Sequence, residues 1–426
     1  MQAPSITEAH QPRPWHIALA GLIALSVAMG IGRFAFTPLL PMMLSDGVVD
    51  LAGASWLASA NYLGYLFGAV LCTFQPWLWA RIKALPLYSF SALVRAGLAT
   101  TCVLTLAMAW HAPALWPLLR FVAGMTSAVV FVFTSGWCLS RLARLGVPAM
   151  GGVIYMGPGA GIVVSGLLAS GMVALQWSAA AAWAVFAVLA LALSASVWRV
   201  LRGGDEHLMR LTSPPPPGDQ APASQHPFEM TLLTVAYGLA GFGYIITATY
   251  LPVIARAALP NSAWLDLFWP IFGAGVMLGA WLATHVRPGM DFRWWLMGCY
   301  LVQALGIALS LISPSLPGFA IGSLLLGIPF TAITFFAMQE IRRLRPLGAA
   351  SFMGLATATY GLGMVLGPPL VTLLLARTAT AAAGFTLSLQ TAVASLLLGA
   401  GLYGWLVRAY PVRRAGSVEG GARRQA

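Results

Sequence analysis

The sequence predicts an all-α integral membrane fold, with twelve transmembrane helices in two six-helix bundles related by a parallel repeat. Three observations predict it. The chain is 59% hydrophobic and only 8% charged, with a mean hydropathy of +0.82, against roughly 25% charged residues in a soluble domain. Apolar runs of about 20 residues, the length of one bilayer crossing, recur from end to end of its 426 residues. Short Gly and Pro patterns also recur in the same order in both halves.

Taken in order, the apolar runs place helices at 16–43, 54–79, 85–108, 115–139, 147–171, 177–199, 228–255, 262–285, 293–312, 316–339, 347–375 and 384–408. The weakest boundary is 171–177, where apolar character barely dips and a merged or shifted helix is the alternative. The polar start of the chain precedes an apolar run much longer than a signal-peptide core, so that run is read as a retained first span. The resulting units are a tail at 1–15, a bundle at 16–199, a linker at 200–227 containing four consecutive prolines, a second bundle at 228–408 and a basic tail at 409–426. A polyproline stretch suits a semi-rigid connector.

Of the 23 basic residues, all but Arg33, Arg95, Arg120, Arg256 and Arg377 fall in one alternating set of loops and tails. That bias predicts both termini on the cytoplasmic side of the membrane and an even number of crossings. It also accounts for the formal net charge of +12, since the basic residues never form the continuous patch that nucleic acid requires. The four cysteines, Cys72, Cys102, Cys138 and Cys299, lie in or beside apolar runs without metal-ligand or disulfide-framework spacing. No cofactor or metal is expected.

The halves read as copies. Gly32-Arg33 and Pro41 correspond to Gly243-Tyr244 and Pro252, with the same nine-residue step from Gly to Pro. Gly64 and Gly68 correspond to Gly275 and Gly279, and Gly157-Pro158 to Gly367-Pro368. These glycines allow close helix approach and the prolines favour bends, so Gly64, Gly68, Gly157, Pro158, Gly275, Gly279, Gly367 and Pro368 are assigned to an interface or gate. A rigid Gly-packed bundle is the alternative. Two six-helix units in parallel repeat place a binding site between them near mid-membrane.

Arg33 lies near the middle of the first span, where an exposed guanidinium costs about 3 kcal/mol on insertion scales. It must therefore face protein or a water-filled path. Its expected role is to anchor substrate, with a structural bond to backbone carbonyls as the competing role. Arg120, about one turn into the fourth helix, either joins the site or snorkels outward; Arg95 is read at mid-depth in the third helix. No Asp or Glu occupies the central part of a span. A guanidinium without a carboxylate selects an anion, which accepts its paired N–H donors. Phe34, Thr37, Tyr244, Thr247, Tyr250, Thr331 and Thr334, with Asn61 and Tyr62 on the second helix, complete a lining suited to an amphipathic organic ligand. Asp266, Glu229 and Asp46, all near span ends, are proton-coupling candidates by exclusion.

Gly30-Ile-Gly-Arg33-Phe-Ala-Phe-Thr-Pro-Leu-Leu-Pro41 and Ala60-Asn-Tyr-Leu-Gly-Tyr-Leu-Phe-Gly-Ala69 resemble the YbfB/YjiJ-type bacterial branch of the major facilitator superfamily. The resemblance covers the whole folded length. It implies a cavity lined by helices 1, 4, 7 and 10, interface helices 2, 5, 8 and 11, and alternating access. On that placement Arg33 and Arg120 line the cavity and Arg95 is peripheral. Arg120-Phe-Val-Ala-Gly124 is similar to a fourth-helix element of proton-coupled members, and Gly157-Pro158-Gly159-Ala160-Gly161 to a fifth-helix element of antiporters, which implies export. The usual loop motif after the second helix is reduced to Trp79-Ala-Arg81-Ile-Lys83, without its acid.

The leading expectation is a secondary transporter, not an enzyme, acting as a monomer on a small anionic organic solute, with possible proton coupling. The alternatives are a multidrug or cationic-compound exporter and a non-transporting receptor or scaffold. Scattered terminal or loop-proximal histidines argue against membrane catalysis.

Overall fold

In hydrocarbon every backbone N–H and C=O must be satisfied within the protein, so long apolar runs fold as helices. The computed structural model describes residues 13–81, 89–147, 150–202, 227–259, 264–286, 290–345 and 349–411. Twelve helical spans among them are long and apolar enough to cross a membrane. They are α1 (Pro14–Ser45), α2 (Leu51–Gln75), α3 (Phe90–Ala107), α4 (Trp116–Arg144), α5 (Gly151–Ala174), α6 (Ala179–Trp198), α7 (Pro227–Ala257), α8 (Leu265–Ala283), α9 (Phe292–Ile312), α10 (Leu316–Leu344), α11 (Phe352–Arg377) and α12 (Ala381–Ala409). Most of the 200–227 linker with its prolines, most of both tails, and Lys83, Arg210 and Arg287 lie outside the described residues.

The ambiguous 171–177 junction is a true break. Gln176 adopts a positive φ of 57°, and the Ser178 side chain caps α6 by accepting from the Ala181 N–H. The first span, in contrast, is not the continuous helix that its hydropathy predicts. It is α-helical over Pro14–Leu25, π-helical over Ser26–Ile31, and resumes as α-helix at Phe36–Ser45. Such π segments widen the hydrogen-bond ladder and concentrate at functional sites.

The duplication is visible in the packing of each half. Gly64 and Gly68 of α2 face Phe121 O and Met125 O of α4, while Gly275 and Gly279 of α8 face Leu324 O and Ile328 O of α10. In return, Gly124 faces Asn61 O and Gly327 faces Phe272 O. A methyl group at Gly68 would lie 2.6 Å from Met125 O, and one at Gly275 would lie 2.6 Å from Leu324 O. These glycines therefore bring helices together within a half. Gly157 likewise meets α1 at Leu22 and Leu25, and Gly367 meets α7 at Ile245.

The halves meet along two seams, α2 with α11 and α5 with α8. We call the end carrying Pro14 and Ala409 the terminal end, and the opposite end distal. On the first seam Gly354 faces Thr73 near the terminal end and Gly361 faces Leu66 farther along. On the second, Gly152 faces Thr284, Gly159 faces Gly273, and Gly166 faces Pro270. Ser170 closes the distal end of this seam by donating to Asp266 O at 3.0 Å. Pro158 stands just after a turn at Tyr155–Met156, whereas Pro368 lies inside an unbroken α11.

Candidate functional site

The π segment and the glycines around it place Arg33. Gly30 lets α1 approach Gly161 of α5 closely, and a methyl group at Gly32 would lie 2.9 Å from Thr101 Cγ2. After the π segment, the Thr37 N–H turns to Phe34 O at 3.2 Å, which leaves Arg33 O to another donor. Arg120 supplies it. Its Nη1 donates to Gly32 O at 3.2 Å and its Nη2 to Arg33 O at 3.0 Å, and its guanidinium lies 4.8 Å from the Phe36 ring centre. Arg120 is 2% exposed and faces the interior rather than snorkelling. The carbonyl contacts weighed for Arg33 are thus made by Arg120.

Arg33 itself points to the junction of the two halves and is 4% exposed. Its Nη2 donates to the Met364 thioether of α11 at 2.8 Å, and Tyr244 of α7 donates to the same sulfur at 3.2 Å. The guanidinium carbon lies 4.0 Å from the Tyr65 ring centre, 4.9 Å from Phe34 and 5.6 Å from Tyr62. Nε has no hydrogen-bond partner, and among the described residues no carboxylate pairs with Arg33. Ring faces offset part of the cost of burying the charge, each contributing about 0.5–2 kcal/mol. Beyond Met364 the aromatic surface continues, with Tyr244 5.0 Å from Phe330 and 5.8 Å from Tyr360 between ring centres. Phe34 crosses from the first half to pack edge-on against Phe330 and Trp269.

At the distal end, three consecutive residues of α7 each take a partner from the first half. Ala248 O accepts from Thr37 at 3.2 Å, the Thr249 hydroxyl pairs with Tyr62 at 2.8 Å, and the Tyr250 hydroxyl pairs with Ser55. Thr372 of α11 also donates to Ser55. This stretch of α7 is therefore held by both α1, through Thr37, and α2, through Tyr62 and Ser55.

The remaining lining candidates are distributed around this centre. Asn61 donates to Arg120 O at 2.9 Å, Thr334 accepts from Tyr237 at 3.0 Å, and Thr331 donates to Val276 O at 3.5 Å. Thr247 is buried with its hydroxyl unpartnered. Arg95 is not at mid-depth: α3 begins at Phe90, so Arg95 sits in its second turn, bonded to Ser91 O and beside Trp198.

Each coupling candidate already has a partner. Asp266 pairs with Arg256, Asp46 accepts from the Ala179 N–H at 2.7 Å, and Glu229 accepts from Arg293 at 2.9 Å. Arg293 also reaches Asp291 at 2.8 Å and Glu340 at 3.5 Å, forming a buried charge cluster at the terminal end of the second half. The sequence reading did not single out Met364, Ser55 or Thr372. The only local signal for Met364 is its place just after Gly361 and Gly363.

Two duplicated six-helix halves, with a charged and aromatic centre at their junction, define a multi-pass secondary transporter. The chain belongs to the major facilitator family whose model is described as "Uncharacterised MFS-type transporter YbfB" and matches residues 25–403. No curated protein matches it in sequence. In fold it is similar to the crystal structure of the nucleoside transporter NupG, with a TM-score of 0.67 at 14% identity over 93% of this chain and 100% of that one. A NupG mutant gives a TM-score of 0.67 at 15% identity over 92% of this chain and 99% of that one.

Proposed function

We propose that the protein carries a small organic anion or anionic amphipathic metabolite across the inner membrane by alternating access, with Arg33 as the charge anchor. The observation that carries this reading is the state of the Arg33 guanidinium. It is buried where the halves meet, its Nη2 faces a weak thioether acceptor, and its Nε has no hydrogen-bond partner. An anion reaching it gains charge-assisted hydrogen bonds in a low-dielectric setting. Because Met364 and Tyr244 belong to the other half, a ligand there contacts both moving units.

The loop charges support terminal-end cytoplasmic exposure, so the clasp around α7 shuts the outward path. Of the three coupling candidates, Asp266 is the best placed, since its backbone also joins the α5–α8 seam. Proton-coupled export follows if its pairing with Arg256 exchanges with protonation during the cycle.

Calorimetric binding of a carboxylate panel to the purified protein tests the anchor. Arg33→Gln is expected to abolish binding while Arg33→Lys retains part of it. Unchanged affinity in a folded Arg33→Gln protein would sink the reading.

A further inference from the structure

We infer that the central site is built for a flat aromatic monocarboxylate, a substrate class that rests on reading Arg33 as the anion anchor. The charge count comes first. Both terminal nitrogens of Arg120 are committed to Gly32 O and Arg33 O, so Arg33 is the guanidinium that keeps a whole edge for a ligand. On Arg33 the edge formed by Nε and Nη2 holds only the Met364 sulfur. Two parallel N–H groups on one edge match the two oxygens of a single carboxylate. A second carboxylate would find no matching edge on Arg120, whose two terminal nitrogens already hold carbonyls.

The shape of the surroundings supplies the second half of the class. Met364 is a flexible, polarizable side chain that is fully buried at the junction of the halves, so it is the group a ligand displaces when the halves move apart. The surface it covers is aromatic: Tyr65 stacks on the guanidinium, and Tyr244 lies between Tyr360 and Phe330 on the far side. A ring entering there meets other rings, whose offset and edge-on contacts add to simple burial. Displacing the thioether also frees the Tyr244 O–H, which now donates to it, to bond the incoming carboxylate.

The test uses the full chain in lipid nanodiscs, with benzoate, cyclohexanecarboxylate, terephthalate and benzamide as calorimetric probes. Benzoate is expected to bind about tenfold more tightly than its saturated analogue, the order that an aromatic contact adds. Terephthalate should bind more weakly than benzoate, and benzamide should give no heat. Tyr244→Phe, which keeps the ring, should weaken benzoate several-fold with an unchanged melting curve. Equal affinity for benzoate and cyclohexanecarboxylate overturns the aromatic assignment and leaves the anion reading standing. Benzamide binding as tightly as benzoate, or silence from all three carboxylates, overturns both.

Discussion

The Arg33 guanidinium of the first half lies 2.8 Å from the Met364 sulfur of the second, across 331 positions of sequence. This contact joins the two halves, and on the proposed reading it is the one that an anionic ligand displaces.

Met364→Leu conserves volume and removes the acceptor. Because volume-conserving apolar swaps cost less than about 1.5 kcal/mol, the protein should fold and melt close to wild type. Carboxylate affinity should rise about two- to fivefold, reflecting the loss of one weak competing hydrogen bond. Calorimetry on the variant reads this directly, and weaker binding would mean that the thioether assists the ligand rather than yielding to it.

Arg120 braces the interrupted first helix, so its removal acts on stability. Arg120→Ala takes two charge-assisted bonds from buried carbonyls at about 1.5–3 kcal/mol each. It should lower the unfolding free energy by roughly 3 kcal/mol or more on that scale. Arg120→Lys should recover only part, since an ammonium cannot reproduce the planar fork. Chemical denaturation in mixed micelles gives the comparison; full rescue by lysine would show that charge alone is sufficient.

Ser55→Ala combined with Tyr250→Phe loosens the distal clasp. Two lost hydrogen bonds of about 1 kcal/mol each correspond to a roughly tenfold or greater rise in distal opening. In a background without the four native cysteines, a Thr247→Cys reporter should react correspondingly faster with a membrane-impermeant maleimide on the distal side. An unchanged labelling rate would place the barrier elsewhere.

Asp291 caps α9 and chelates Arg293. Burial pushes its carboxyl upward, but the hydrogen bonds and positive charge of Arg293 outweigh that and hold it below the usual carboxylate range. A lowered folded value contributes stability above the unfolded pKa, about 3.9, and that contribution is lost as pH falls through the folded value. Melting temperature should therefore fall for the wild type as pH drops below about 4. Asp291→Asn should start lower at neutral pH and lose less on acidification. Parallel acid limbs for the two proteins would assign the titration to other carboxyls.

The helices and the repeat were legible because both depend on local chemistry. Transfer of apolar runs out of water sets the spans, and Gly64 with Gly68 against Gly275 with Gly279 displays the repeat before any contact is known. The site was legible only in outline. Arg33 and Tyr244 could be singled out as a charge and its repeat-related ring. The ring contacts of Tyr65 and the ladder change over Ser26–Ile31 carry no comparable local signature.

By itself, the sequence determined that the chain is a duplicated twelve-span transporter fold and that a permanent cation lies inside its first span. The tertiary structure decided which arginine is spent and which is left. Arg120 uses both terminal nitrogens on Gly32 O and Arg33 O, just after the π segment, with only its Nε unpartnered, whereas Arg33 meets only the weak thioether acceptor that α11 brings to it. Both outcomes depend on the approach of helices distant in sequence, and hydropathy carries no information about which acceptor a buried donor will meet.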